Sequence, residues 1–137
     1  MLNKQLIQEK VNQAVAILQE LDLDVWLTFV RETMLTPDPA MDLLVGQGMT
    51  WQSAFLIARN GQTIAIVGHY DGENIRQLGA YDQVITYHQG MAQPLREVLQ
   101  RLNPRQIALN YSESDVAADV QVGAKSGVWG LGFGRCV

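Results

Sequence analysis

Residues 54–68 read Ala-Phe-Leu-Ile-Ala-Arg-Asn-Gly-Gln-Thr-Ile-Ala-Ile-Val-Gly, and this stretch decides the fold. Two apolar runs flank Asn60-Gly61. Asn and Gly tolerate positive φ, which a two-residue type I′ turn requires at both central positions. The pattern therefore predicts two antiparallel strands joined by a tight turn at Asn60-Gly61. Both runs are rich in Ala, Ile, Leu, Phe and Val, with little polar alternation. Strands that are apolar on both faces must be covered on both faces. The rest of the chain is expected to supply helices as that cover.

N-terminal to the hairpin, residues 2–21 carry Ile7, Val11, Ala14, Val15 and Leu18 at three- and four-residue spacing, which predicts an amphipathic helix. Its polar face is not basic, so a helix docked on its own sheet is favoured over a partner-binding or membrane-surface helix. Asp22-Leu23-Asp24 ends it. Residues 25–30, VWLTFV, form a β-branched and aromatic run that predicts the first strand. Residues 31–50 break the pattern with Pro37 and Pro39; Asp38 could cap a short helix that Gly46 and Gly48 end. C-terminal to the hairpin, Asp71 is placed to cap a short helix ending at Gly79. Residues 84–87 predict a strand. Pro94 starts a helix presenting Leu95, Val98, Leu99 and Leu102, and Asn103-Pro104 stops it. Residues 107–110 predict a last strand. The fold class is thus α/β, a mixed five- to six-stranded sheet with a central antiparallel hairpin flanked by helices.

The chain has 137 residues, 47% hydrophobic and 18% charged. That suits one domain with a real core and argues against disorder. A formal net charge of -4 is the wrong sign for a nucleic-acid surface. The single cysteine, Cys136, excludes an internal disulfide and a cysteine-based metal site. No secretory signal and no apolar run long enough to span a membrane are visible, so a cytoplasmic location is expected.

A search for chemistry is largely negative. His69 and His88 lack HExxH or paired Cys/His spacing. Each can be a metal ligand or general base, and a hydrogen-bonded histidine at a strand edge is the favoured reading of both. The carboxylates fall mostly at caps and turns. No serine has a GxSxG context. Gly130-Leu131-Gly132 has no following helix to present to phosphate. No catalytic residue and no metal ligand is assigned. The connection holding Arg31, Glu32 and Trp51 leaves a strand end and is the first place to look for a ligand-facing surface.

The order of elements resembles the N-terminal domain of the creatinase/prolidase family, which includes Xaa-Pro aminopeptidases, Xaa-Pro dipeptidases and creatinase. The residues carrying the resemblance are 23–28 (LDVWLT), Arg31-Glu32, Asp38-Pro39-Ala40, Leu44, Gly46, Trp51, Ser53-Ala54-Phe55 and 107–112 (IALNYS). It covers residues 1–119. It implies a domain that precedes a separate metallopeptidase domain, whose two Asp, one His and two Glu bind a divalent metal pair, Mn or Co. None of those ligands is assigned in this chain, which itself holds no cofactor. The resemblance further implies a homodimer in which the N-terminal domain walls the active site against a proline-containing peptide. Phe29, Arg31 and Trp51 are then the substrate-proximal candidates, with Arg31 suited to a substrate carboxylate. The competing reading pairs Arg31 with a nearby acid and places Phe29 and Trp51 in the core. A stand-alone α/β interaction module is the alternative function.

Residues 120–137, VQVGAKSGVWGLGFGRCV, depart from this pattern. Acidic residues vanish and glycine becomes dense, yet Val128, Trp129, Leu131 and Phe133 would be avoided in a solvated linker. The expectation is two units, a domain over 1–119 and an atypical tail over 120–137 from a frame change near Val120.

Overall fold

The structure, a computed structural model, describes residues 4–30, 44–46 and 49–109. The tail, the Pro37–Pro39 region and Arg31 lie outside the described residues. The elements run α1 (Lys4–Glu20), β1 (Val25–Val30), β2 (Ser53–Ala58), β3 (Thr63–Gly68), α2 (Gly72–Leu78), β4 (Gln83–Tyr87), α3 (Ala92–Leu102) and β5 (Ile107–Leu109). The strands form one mixed five-stranded sheet in the order β4-β3-β2-β1-β5. β2 runs antiparallel to both β1 and β3. β4 is parallel to β3, and β5 is parallel to β1.

The two-sided apolar character of the hairpin is realised as two cores. Every residue of β2 and β3 is buried. On one face, Phe55, Ile57, Ala65 and Val67 meet Ile7, Val11, Ala14 and Leu18 of α1 and Ile75 of α2. On the other, Leu56, Ile64 and Ile66 meet Leu95, Val98 and Leu99 of α3. Burying each Ile, Val or Leu stabilises the fold by about 1.5–3 kcal/mol as an upper estimate. The α1 stripe predicted from spacing is the buried stripe. Asp22 ends the helix in the left-handed region, φ 55°, and the Leu23 N–H returns to the Leu18 carbonyl at 2.9 Å.

The hairpin turn differs from the expected type I′. Ala58 N–H donates to the Gln62 carbonyl at 2.8 Å, and Gly61 N–H donates to the Ala58 carbonyl at 2.9 Å. The loop is therefore three residues, 59–61, and only Gly61 carries a positive φ, 92°. A type I turn followed by a left-handed glycine is the next most common hairpin connection. The Asn60 side chain is used differently from the prediction, since its Oδ1 accepts the Gln62 N–H at 2.9 Å.

Asp71 also departs from expectation. It precedes α2 but makes no side-chain cap bond; its carboxylate is committed to residues before β2. Gly79 and Asn103 end α2 and α3 in the left-handed region, φ 66° and 45°, as their positions in the sequence suggest. At the opposite end of the sheet, Asp24 Oδ2 accepts the N–H groups of Arg105 and Gln106 at 2.8 and 3.0 Å. These bonds, the Gln106 one foremost, hold its carboxyl below the usual carboxylate range and tie β1 to the start of β5.

Candidate functional site: an aromatic rim at one end of the sheet

The register brings one set of loops together. Val30 at the end of β1 faces Ser53 at the start of β2, and Gly68 at the end of β3 is level with Tyr87 at the end of β4. The carboxyl ends of β1, β3, β4 and β5 therefore share one end of the sheet. Ligands of open α/β sheets bind outside that end, where chain connections diverge to opposite faces. Here α2 leaves β3 on one face and α3 leaves β4 on the other.

Trp51 is the centre of this rim. Its ring lies over Gly68, where an added Cβ would stand 2.6 Å from Cε3. The close approach requires glycine at that strand end. Trp51 meets Tyr70 edge-on at 5.4 Å between centroids and Tyr87 at 5.9 Å. Tyr70 is 71% exposed and meets the His69 ring at 5.7 Å. His69 and His88 stack at 4.3 Å with their planes 30° apart. Tyr87 O–H donates to the Gln52 carbonyl at 2.6 Å. Burial and the charge of Asp71 push the Tyr87 phenol above its usual range. Between these groups an open depression of about 470 Å³ is lined by Thr50, Trp51, Gln52, Tyr87, His88 and Gln89, among others.

Asp71 fixes the rim from below. It is buried, and it accepts Thr50 Oγ1–H at 2.9 Å and Thr50 N–H at 3.0 Å, with Trp51 N–H at 3.4 Å. The carboxylate thus orients the residue that carries the Trp51 ring. Thr28, on β1, is fully buried, and its hydroxyl has no partner among the described residues.

Of the three substrate-proximal candidates, Trp51 is half-buried in the rim. Phe29 is half-buried one residue from the end of β1 and packs against the α3-side core. Both are near the same end of the sheet, and Arg31 lies outside the described residues. Sequence reasoning missed Tyr70, Tyr87 and the pairing of the two histidines. The available signal was that each histidine follows a strand by one residue, but it becomes visible only once β3 and β4 are known to be parallel neighbours. Among the described residues no three His, Cys, Asp or Glu side chains converge. The described residues by themselves do not supply the ligands of a two-metal hydrolytic centre. No helix among the described residues is long and apolar enough to cross a membrane.

No protein-family model and no curated protein sequence matches the chain. Solved structures do. The N-terminal domain of Xaa-Pro dipeptidase from Lactobacillus brevis is similar with TM-score 0.62 and 17% identity, over 93% of this chain and 90% of that one. The creatinase/prolidase N-terminal domain of an X-Pro dipeptidase from Streptococcus pyogenes is similar with TM-score 0.59 and 14% identity, over 80% and 81%. X-Pro aminopeptidase from Thermotoga maritima MSB8 is similar with TM-score 0.59 and 18% identity, over 76% of this chain but 28% of that chain. The mixed five-stranded sheet with helices on both faces gives this chain the fold of the creatinase/prolidase N-terminal domains.

Proposed function

We propose that this chain is the non-catalytic N-terminal domain of a Xaa-Pro metallopeptidase, inactive by itself, which builds a homodimer and walls an active site carried on a separate domain. The observation that supports this most is the likeness to N-terminal domains cut from such enzymes, over nearly their whole length. The rim adds to it: an aromatic surface around Trp51 is suited to shaping a pocket. A proline ring packs well on aromatic faces, so a proline-containing peptide of the parent enzyme is the matching substrate class. The parent's chemistry would use a divalent metal pair, Mn or Co, on the other domain. The proposed location is cytoplasmic.

The test is hydrolysis of a proline-containing dipeptide by the purified chain with manganese or cobalt. The expected result is no turnover above a metal blank; turnover would refute the claim of inactivity. Light scattering coupled to size exclusion tests the dimer, with an apparent mass near twice 15.2 kDa expected.

A second reading, a stand-alone α/β interaction module, is favoured by an apolar groove of about 210 Å³ beside α1. It is lined by Ile17, Leu21, Trp26 and Ala108, with Ile17 and Leu21 more than half exposed. Ile17→Glu would lower the apparent mass if that groove mediates association, and leave it unchanged if the parent-type dimer uses another face.

A further inference from the structure

We propose that the outer edge of β4 is a self-pairing surface, on which a second copy of this chain sets its own β4 antiparallel about a two-fold axis to make one continuous sheet. The proposal rests on the homodimer proposed above and names its surface. β4 ends the sheet, with β3 on one side and no described strand on the other. Every residue of β2 and β3 is buried, whereas all of β4 is only half-buried. The Tyr87 carbonyl accepts the His69 N–H at 3.0 Å, and Tyr87 is level with Gly68, so Tyr87 turns its main-chain groups inward to β3. Main-chain groups alternate in direction along a strand, as side chains do. Gln83 and Ile85 therefore also face β3, and Val84 and Thr86 point their N–H and C=O groups outward. Among the described residues nothing bonds those outward groups.

Proteins that keep an edge from pairing shorten it, charge it, bend it with a bulge or place proline in it. β4, Gln-Val-Ile-Thr-Tyr, holds no charge and no proline, and its register with β3 is unbroken. Val, Ile, Thr and Tyr are all strand formers. The opposite edge, β5, spans only Ile107–Leu109. An isologous antiparallel partner must set outward residues against outward residues. With Ile85 on the axis, Val84 faces Thr86 of the partner subunit, Thr86 faces Val84 of the partner subunit, and each pair exchanges both N–H···O bonds. Ile85 and Tyr87, half-buried against the α3-side core, gain cover from the added strand. Gln83 of the partner subunit comes level with Tyr87, so the second copy extends the rim. Asp82 and His88 bracket β4 and are exposed. Antiparallel pairing brings the acidic end of one copy to the histidine end of the other, so no like charges oppose each other.

The test combines mass and amide exchange on the full chain. Light scattering coupled to size exclusion, over a concentration series, should approach twice 15.2 kDa for wild type and stay at 15.2 kDa for Val84→Pro. Proline there removes an outward N–H that the isolated chain leaves unpaired, and edge strands tolerate it. Circular dichroism melts establish that the variant folds, and Thr86→Pro stands in if it does not. Hydrogen exchange of wild type, followed by NMR, reads the same edge without a substitution. The Val84 and Thr86 amides should exchange freely in dilute monomer and slow about tenfold once roughly nine-tenths of the chain is dimeric. The Ile85 and Tyr87 amides, bonded to β3, should be protected in both. A chain that stays at 15.2 kDa throughout overturns this proposal and the homodimer together. A dimer whose Val84 and Thr86 amides still exchange freely, or one that folded Val84→Pro leaves intact, overturns the β4 edge alone and leaves the homodimer standing.

Discussion

Replacing Asp71 should unfasten the rim. Its carboxylate receives two short bonds from Thr50, at 2.9 and 3.0 Å, and a long one from Trp51 at 3.4 Å. Hydrogen bonds to charged groups contribute about 1.5–3 kcal/mol each, and the long one adds little. Asp71 is only 5% exposed, so part of that gain offsets the cost of burying the charge. Asp71→Ala should therefore destabilise by about 3 kcal/mol, out of the roughly 5–15 kcal/mol typical of a domain. Asp71→Asn keeps one acceptor and should lose about half as much. The informative control is Asp71→Ser. Serine is a strong helix N-cap, but its single oxygen lies one bond nearer the main chain and cannot serve Thr50 as the carboxylate does. Serine should then be nearly as damaging as alanine. Urea unfolding followed by tryptophan emission and far-UV circular dichroism measures all three. A serine variant as stable as wild type would refute the reasoning, because it would mean that Asp71 acts by capping α2. A change within about 0.5 kcal/mol for alanine would refute it too, since that is the range of surface substitutions.

Gly68→Ala places a Cβ 2.6 Å from Trp51 Cε3; displacing the ring should cost about 1–3 kcal/mol and shift tryptophan emission to the red, read in the same experiment. Thr28→Val exchanges a buried hydroxyl without a described partner for a methyl group, and should stabilise by about 1 kcal/mol, seen as a higher thermal midpoint. Tyr81 O–H donates to the Leu44 carbonyl at 3.0 Å, and burial pushes its phenol far above its ordinary value near 10. The unfolded chain ionises first as pH rises above about 10, so stability should fall from there upward, and Tyr81→Phe should flatten that fall in an alkaline denaturation series. Asp24 has the opposite sign: its carboxyl is held low by backbone N–H groups, so its contribution is present above about pH 4 and lost on acidification through the folded value. Asp24→Asn should therefore reduce stability at pH 7 and narrow its gap to wild type at low pH.

Periodicity made much of the fold legible. The α1 stripe, the β1 run and the hairpin are local patterns, and Ile7, Val11, Leu18, Phe55 and Ile64 are buried where those patterns place them. What escaped was non-local or one residue finer than pattern resolves. Asn60-Gly61 fits both a two-residue and a three-residue loop, and hydrogen bonds at Ala58 decide between them. Asp71 carries the local signature of a cap, yet its partners lie 20 and 21 positions earlier, and no helix-start rule reads that distance. Trp51 drew attention as an aromatic on a long connection, while its seat on Gly68 depends on two strands being placed first. The histidines illustrate the same limit. Each alone is an unremarkable strand-end residue, and only the parallel β3–β4 register makes them neighbours.

The parallel pairing of β3 with β4 carries the assembly of the rim. A nuclear Overhauser spectrum of the labelled chain tests it most directly. Cross-peaks of a parallel ladder between residues 64–68 and 83–87 are predicted, together with contacts from the Gly68 α-protons to the Trp51 ring and an upfield shift of the one facing it. An antiparallel pattern between these strands, or Gly68 α-protons at ordinary positions without contact to Trp51, would contradict the account.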